Sequence, residues 1–191
     1  MMKKTGEGDK GKIRKLDVEK YLRVKKIEDE FLQKSEPQTE PLFVVLGGPV
    51  GVGKTTLRRE QYAKGYVNID SEDVAKSIEG FLSGPDELAE YLDVMGSELV
   101  ARAITERRNI VIEVQLDSAE PIGSIISGMK KAGYKTQLMV VKNDVETSWK
   151  NNINRDKDSL SSVHTQGLTM AWFVRYLNDF GRREFLIPSI K

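Results

Sequence analysis

The sequence predicts an α/β fold in which helices flank a mainly parallel sheet, with a helical appendage at the N-terminus. Short apolar runs alternate with longer amphipathic segments along the chain, and this alternation is typical of βαβ units. The first apolar run, residues 42–46, is unbroken, as in a parallel strand that is buried on both faces. With 191 residues and 39% hydrophobic residues, the chain is long enough to form one such domain around a core.

The N-terminal region differs from the rest of the chain in its charge. Residues 1–26 contain ten basic and four acidic side chains, a net charge of +6, whereas the remainder has a net charge of −5. We interpret the basic run as a solvated tail followed by a packing helix. Binding of nucleic acid or of an anionic surface is the alternative, but no aromatic interleaving supports base stacking. A nucleic-acid partner is therefore not expected.

Composition divides the chain into three segments. Residues 1–15, which are rich in glycine and lysine, are predicted to form a disordered basic tail. Residues 16–41 are predicted to form a helix and a linker, because apolar residues recur at helical spacing before two prolines bracket a polar stretch. Residues 42–191 are predicted to form the main domain.

The main domain is predicted to contain alternating strands and helices. The strands are residues 42–46, 66–69, 109–114 and 134–141. The helices are residues 54–63, 71–79, 86–107, 118–131, 144–154 and 168–180. Ser71 is a candidate N-cap for the second of these helices, and Gly133 follows the fourth as a C-terminal glycine. Only residues 184–187 remain to form the last strand that is usual for such a fold.

The composition excludes several classes of site. The absence of cysteine excludes disulfides, thiolate nucleophiles, thiolate zinc sites and iron–sulfur clusters, and the single histidine, His164, excludes a multi-histidine metal site. No apolar run approaches the roughly 20 residues that a membrane helix needs, and the charged N-terminus shows no signal peptide. We therefore expect a cytoplasmic protein without a membrane partner.

Residues 48–55 carry the strongest motif of the chain. They read Gly-Pro-Val-Gly-Val-Gly-Lys-Thr and match the P-loop pattern G-x-x-x-x-G-K-[ST], between a predicted strand and a predicted helix. The glycines allow backbone N–H groups to point at phosphate oxygens, Lys54 can reach the β- and γ-phosphates, and the Thr55 hydroxyl can ligate Mg²⁺. The sequence thus predicts a P-loop NTPase three-layer fold that binds a mononucleotide together with Mg²⁺. The predicted nucleotide-binding residues are Gly48, Pro49, Val50, Gly51, Val52, Gly53, Lys54, Thr55 and Thr56.

A P-loop does not by itself define the reaction. A GTPase needs an Asn/Thr-Lys-x-Asp motif for guanine, and the nearest sequence, residues 142–144, lacks that pattern. The chain is too short for most motor-type ATPases, although residues 110–113, Ile-Val-Ile-Glu, approach their acidic strand end. A small-molecule kinase remains. It needs a P-loop, an acid that takes the proton of the acceptor hydroxyl, and arginines that neutralise the moving phosphoryl group.

Three acids follow predicted strands, at the edge of the sheet where ligands bind in parallel α/β folds. Asp70 and Glu72 come just after the second strand, where stabilisation of a helix N-terminus is the alternative role, and that role accounts for Asp73. Glu113 ends the third strand, and a carboxylate in an otherwise apolar strand is costly unless it binds something. Its candidate partners are Mg²⁺, through water, and a substrate hydroxyl. An ion pair with a lysine or arginine is the alternative.

Arg155 begins a polar stretch after the predicted fifth helix, where kinases often place a closing lid. An arginine there can bridge the phosphates of ATP, and an exposed surface arginine is the alternative. His164, in the same stretch, is interpreted as a surface residue, and contact with substrate is the alternative. The aromatic residues of the last two helices are predicted to pack in the core or to form a lid hinge. They are Trp149, Trp172, Phe173 and Tyr176.

These motifs resemble the zeta-toxin kinases of bacterial toxin–antitoxin systems. Residues 47–58, Gly-Gly-Pro-Val-Gly-Val-Gly-Lys-Thr-Thr-Leu-Arg, are similar to the glycine–proline P-loop of that family with its trailing Leu-Arg. Residues 69–74, Ile-Asp-Ser-Glu-Asp-Val, resemble the family segment after strand two. From Ile110 to Arg155 the family pattern fits without a gap, so the resemblance covers more than half of the chain.

The resemblance implies an activity and a role for several residues. Family members phosphorylate UDP-N-acetylglucosamine on its sugar with ATP and Mg²⁺, so a nucleotide sugar is the expected small hydroxyl acceptor. The match implies that Glu113 binds the acceptor, that Arg155 is a lid arginine, and that the second acid of an Asp-x-Asp pair, here Glu72, is the base. Family toxins are held inactive by a helical antitoxin. An antitoxin-like protein, or the N-terminal helix of this chain, is therefore a candidate partner.

Three positions depart from the family pattern. Glu72 stands where the family has an aspartate, so the base is either Glu72 or Asp70. Gln115 stands where the family has a threonine, which changes an expected contact with the sugar. The second lid arginine has no clear counterpart, because Arg175 is far along the chain and Lys157 would supply only a point charge. These departures leave two alternatives: a kinase for another acceptor (a nucleotide, a cofactor or a polynucleotide end), and a catalytically weakened ATP-binding regulatory protein.

Overall fold

Four parallel strands form the sheet of the structure, a computed structural model that describes residues 17–115, 119–153 and 167–183. The strands are β1 (Leu42–Gly47), β2 (Val67–Asn68), β3 (Ile110–Val114) and β4 (Lys135–Val140), in the spatial order β2-β3-β1-β4. The helices are α1 (Val18–Leu32), α2 (Lys54–Gln61), α3 (Ser71–Ile78), α4 (Pro85–Thr105), α5 (Ala119–Lys131), α6 (Val145–Ile153) and α7 (Leu168–Arg183). This architecture confirms the predicted fold class.

The register of the sheet brings the ends of its strands to one edge. On the central strand β1, Leu46 stands opposite Glu113 of β3 and Met139 of β4. Residues that follow β1, β2 and β3 therefore lie on the same side of the molecule. In parallel sheets this is the side on which ligands bind.

A large apolar core packs on one face of the sheet and a smaller cluster on the other. In the large core, Trp172 and Phe173 of α7 are completely buried, and the rings of Phe43 and Phe173 lie 5.3 Å apart. The smaller cluster contains Val44, Leu46, Tyr62 and Val111. The burial of Trp172 and Phe173 confirms their predicted place in the core. Trp149 does not share it, because 64% of its surface is exposed.

The N-terminal helix α1 is part of the large core. Val24, Phe31 and Leu32 are buried against the domain. Glu28 is also completely buried, and its carboxylate accepts a 2.8 Å hydrogen bond from Arg102 of α4. The predicted helix is thus present, and it packs through apolar contacts and a buried ion pair.

Some local predictions differ from the structure. The N-cap of α3 is Asp70 and not Ser71, because the Asp70 carboxylate accepts the backbone N–H of Asp73 while Ser71 is the first helical residue. The strand predicted at residues 66–69 is shorter and spans Val67–Asn68. Residues 184–187, the only ones left to form a last strand, lie outside the described residues. No helix in the described part of the chain is long and apolar enough to cross a membrane.

Candidate active site

The P-loop joins β1 to α2 and depends on glycine at two positions. Gly53 adopts a left-handed backbone conformation, with φ 101°, and directly precedes the first residue of α2. At Gly48 a Cβ atom would lie 2.7 Å from the carbonyl oxygen of Val141, so a side chain there would press on the segment after β4. Helix α6 also contacts the loop, because the side chain of Asn151 donates a 2.9 Å hydrogen bond to the carbonyl of Gly51.

Lys54 places its ammonium group over this loop. Its Nζ donates hydrogen bonds to the carbonyl oxygens of Gly48 and Pro49, at 2.7 and 2.8 Å. The side chain therefore turns back from the start of α2 towards the glycine turn. A positive charge in this position suits the phosphates of a nucleotide.

A network of charged groups connects α2, α3 and β3 beneath the loop. Thr55 Oγ1 donates a 3.0 Å hydrogen bond to Glu113 Oε2, and Arg58 Nε donates to Glu113 Oε1 at 2.5 Å. Another nitrogen of the same guanidinium lies 2.7 Å from a carboxylate oxygen of Asp73, which also accepts the side-chain amide of Asn68. Arg58 is only 4% exposed, so two carboxylates share one buried cation.

This network changes the interpretation of two acids. The ion pair that was the alternative for Glu113 is present, with Arg58 as the partner. The helix-terminus role proposed for Asp73 is incomplete, because its carboxylate also pairs with Arg58 at 2.7 Å and binds Asn68. Burial alone would lower the pKa of Arg58, but the charges of Asp73, Glu113 and Asp70 outweigh it and raise that pKa.

The two candidate bases lie in different surroundings. Burial raises the pKa of Asp70 to about 6, the charges of Asp73 and Glu113 add to the rise, and Arg58 partly opposes it. Glu72 lies one residue into α3 and accepts a 2.6 Å hydrogen bond from Lys76, one turn along the helix. Asp70 therefore belongs electrostatically to the cluster around Arg58.

The structure describes only some of the other residues that the sequence analysis considered for the site. Gln115 directly follows β3, two residues after Glu113. Arg155, Lys157 and His164 lie outside the described residues. The guanidinium of Arg175, on α7, pairs with Asp93 of α4 at 2.9 Å.

Sequence reasoning missed Arg58 and Asn151 as members of this region. Arg58 was noted only as part of a motif, although its spacing of three residues from Thr55 places both on one face of α2. That spacing was a usable signal. Asn151 had none, because its contact with Gly51 depends on where α6 packs.

The donor set of the described residues suits a cation that arrives with its nucleotide. No group of three or more His, Cys, Asp or Glu side chains in the described part of the chain could hold a metal ion. The Thr55 hydroxyl and the Glu113 carboxylate are the hard oxygen donors that Mg²⁺ prefers. Because Mg²⁺ usually takes only one or two protein ligands beside phosphates and water, these residues fit it.

A sequence model of the zeta toxin family matches residues 28–176, which is most of the chain. The chain belongs to the zeta toxin family. The predicted resemblance is thus confirmed, and the match includes the P-loop, the acids after β2 and Glu113 near the end of β3. No curated protein sequence matches the chain.

Solved structures of low sequence identity share the fold of this zeta toxin family member. A structure of the PezAT chromosomal toxin–antitoxin system of Streptococcus pneumoniae matches with a TM-score of 0.59 at 18% identity, over 86% of this chain and 73% of that chain. The AvrRxo1-ORF1:ORF2 complex matches in its native form with a TM-score of 0.56 at 19% identity, over 76% of this chain and 52% of that chain. Its structure with ATP matches with a TM-score of 0.54 at 18% identity, over 85% and 61%. The chain thus spans about half to three quarters of the length of these neighbours.

Proposed function

We propose that the chain is an ATP-dependent phosphotransferase that moves the γ-phosphate of ATP to a hydroxyl of a nucleotide sugar, with UDP-N-acetylglucosamine as the first candidate. Membership of the zeta toxin family supports this proposal. The single observation that carries it is the hydrogen bond between Thr55 and Glu113, which joins the P-loop to the acid near the end of β3. A nucleotide on the loop would then lie next to the acids that can bind an acceptor.

At the nucleotide, the P-loop residues would position the phosphates and neutralise their negative charge. The loop glycines leave room for phosphate oxygens, and Lys54 supplies a positive charge for the β- and γ-phosphates. Mg²⁺, held with the nucleotide by Thr55, would neutralise charge on the same phosphates. The structure with ATP of the AvrRxo1 complex supports a nucleotide site in this fold.

On the acceptor side, an acid takes the proton of the attacking hydroxyl. The hydroxyl oxygen forms a bond to the γ-phosphorus, the bond from that phosphorus to the β–γ bridging oxygen breaks, and ADP leaves. We propose Asp70 as the base, because a pKa of about 6 suits proton transfer near neutral pH. Glu72 is the second candidate, on its position in the family motif. Glu113 and Gln115 would contact the acceptor.

Two further elements of the proposal come from outside the described network. Arg155 would close over the phosphates as a lid arginine, as the family resemblance implies. The likeness to a toxin–antitoxin structure supports an antitoxin-like helical partner for this chain.

The experiment that tests the proposal is transfer of labelled γ-phosphate from Mg–ATP to a panel of acceptors. The panel contains UDP-N-acetylglucosamine, other nucleotide sugars, a nucleotide cofactor and an oligonucleotide with a free 5′-hydroxyl. We expect transfer to UDP-N-acetylglucosamine, and we expect Gln115→Thr, which restores the family residue, to increase it. Transfer only to another member of the panel would replace the nucleotide sugar with that acceptor.

A second candidate function is a nucleotide-binding regulatory protein with weakened catalysis. The observation that favours it is that both family acids are engaged, Glu113 with Arg58 and Glu72 with Lys76. ATP binding without transfer to any acceptor would support this function and contradict the kinase.

A further inference from the structure

We propose that Arg58 is a positioning residue for the metal–nucleotide site, acting through Glu113 on the hydroxyl of Thr55. The inference rests on the proposed function only in assuming that Mg²⁺ and a nucleotide bind at the P-loop. Its basis is a pair of hydrogen bonds that meet at the Glu113 carboxylate. Arg58 Nε donates to one oxygen of Glu113 at 2.5 Å, and Thr55 donates to the other oxygen at 3.0 Å.

The direction of the Thr55 hydrogen bond determines whether the Thr55 oxygen can bind a cation. A hydroxyl has one proton and two lone pairs. Because Thr55 gives its proton to Glu113, its lone pairs point away from that carboxylate and stay available to a cation. A carboxylate behind a ligand also increases the electron density on the ligand oxygen, and such outer partners typically change metal affinity by about 10- to 100-fold.

Arg58 fixes the position of the Glu113 carboxylate. Its guanidinium is planar and carries several donors in a rigid fork, so it can hold Glu113 and Asp73 at the same time. Three acids, Asp70, Asp73 and Glu113, contribute to the electrostatic surroundings of this one buried cation. Without the cation the carboxylates repel each other, and Glu113 would turn away from Thr55.

The second ion pair of Arg58 provides a matched control. Arg58 pairs with Glu113 at 2.5 Å and with Asp73 at 2.7 Å, and only Glu113 contacts Thr55. If Arg58 served the fold alone, loss of either carboxylate charge would have similar consequences. If Arg58 positions Thr55, only substitutions that displace or neutralise Glu113 lower the gain in nucleotide affinity due to Mg²⁺.

The test is calorimetric binding of the non-hydrolysable nucleotide AMP-PNP to the full chain, once with Mg²⁺ and once with EDTA. The variants are Arg58→Gln, Arg58→Lys, Glu113→Gln and Asp73→Asn, each with its melting temperature. We expect the gain in affinity due to Mg²⁺ to fall about 10- to 100-fold in Arg58→Gln and Glu113→Gln. Arg58→Lys keeps the charge but not the fork, so it should lose an intermediate amount, and it serves if Arg58→Gln does not fold. The gain should fall clearly less in Asp73→Asn than in Glu113→Gln, because Arg58 can still hold Glu113 when Asp73 is neutral.

The outcomes separate this inference from the proposed function. A wild-type chain that binds neither form of AMP-PNP would overturn both. A wild-type gain from Mg²⁺ that the Arg58 variants retain, or that Asp73→Asn loses equally, would overturn the positioning role alone. The double variant Arg58→Lys/Glu113→Gln should be no worse than Glu113→Gln, because the two residues act in series. A further loss in the double variant would contradict that order.

Discussion

The hydroxyl of Thr55 lies 3.0 Å from a carboxylate oxygen of Glu113, although 58 positions of the chain separate the two residues. The contact follows from the parallel pairing of β1 and β3, in which Leu46 stands opposite Glu113. Because β1 and β3 end at the same level, the P-loop that follows β1 lies next to Glu113, near the end of β3. This hydrogen bond therefore joins the P-loop, where we propose that the nucleotide binds, to the acid that we propose contacts the acceptor.

Substitution of Lys54 should remove phosphotransfer without unfolding the domain. The ammonium group of Lys54 donates to two loop carbonyls, those of Gly48 and Pro49, and such a hydrogen bond is worth about 1 kcal/mol net, so Lys54→Ala should leave the domain folded. Loss of a positive charge at the transferring phosphates should lower kcat by about 100-fold or more. Lys135→Ala is the control, because Lys135 is 65% exposed and pairs with Glu40. Near-wild-type transfer by Lys54→Ala would contradict the assignment of the P-loop.

Neutralisation of Asp70 should stabilise the protein at pH 7.5. A raised pKa means that the folded state holds this proton more tightly than the unfolded state. Stability is therefore lost as the pH rises from about 4 through the folded pKa of about 6. At higher pH the ionised carboxylate costs up to about 3 kcal/mol, and Asp70→Asn should recover part of it because asparagine is an equally good N-cap. Denaturant unfolding at pH 5 and pH 7.5 measures the difference, which should be larger at pH 7.5.

The same acid should control the pH dependence of transfer. If Asp70 is the base, kcat/KM rises with pH through about 6 as its proton is lost. Asp70→Asn should abolish this limb together with most of the activity, by about 100-fold or more. Glu72→Gln should retain the limb, since Glu72 pairs with Lys76 on α3. A profile that loses the limb in Glu72→Gln and keeps it in Asp70→Asn would assign the base to Glu72.

Gly96 should tolerate no side chain, although it lies in the middle of a helix. A Cβ atom built there would lie 2.2 Å from ring atoms of Trp172, which is completely buried. Gly96→Ala should therefore destabilise the protein by about 1 to 3 kcal/mol, through displacement of α7 from α4. Gly123 of α5 has nothing within 4 Å of its Cβ position, so Gly123→Ala should be neutral or stabilise by up to about 1 kcal/mol. Equal melting temperatures for the two variants would contradict this packing.

The sequence predicted what depends on local pattern and failed where side chains meet across the fold. The P-loop, the four strands and the helices follow from glycine spacing and apolar periodicity, so their order could be stated in advance. The pairing of Arg58 with Glu113 and Asp73 could not, because it needs the relative placement of α2, β3 and α3. For Trp149, a place in the core was one of the two predicted roles, beside a lid hinge. The core placement is wrong, because 64% of the Trp149 surface is exposed.

Removal of the N-terminal helix tests whether it inhibits the domain or holds it together. Val24, Phe31 and Leu32 are buried in the core, and Glu28 pairs with Arg102 of α4. Deletion of residues 1–35 should therefore lower the melting temperature and the activity together, and Phe31→Ala alone should cost about 3 to 5 kcal/mol. Deletion of residues 1–16 leaves α1 complete and should change neither quantity. An active, stable chain after deletion of residues 1–35, with faster transfer than wild type, would instead show that the helix is an inhibitor.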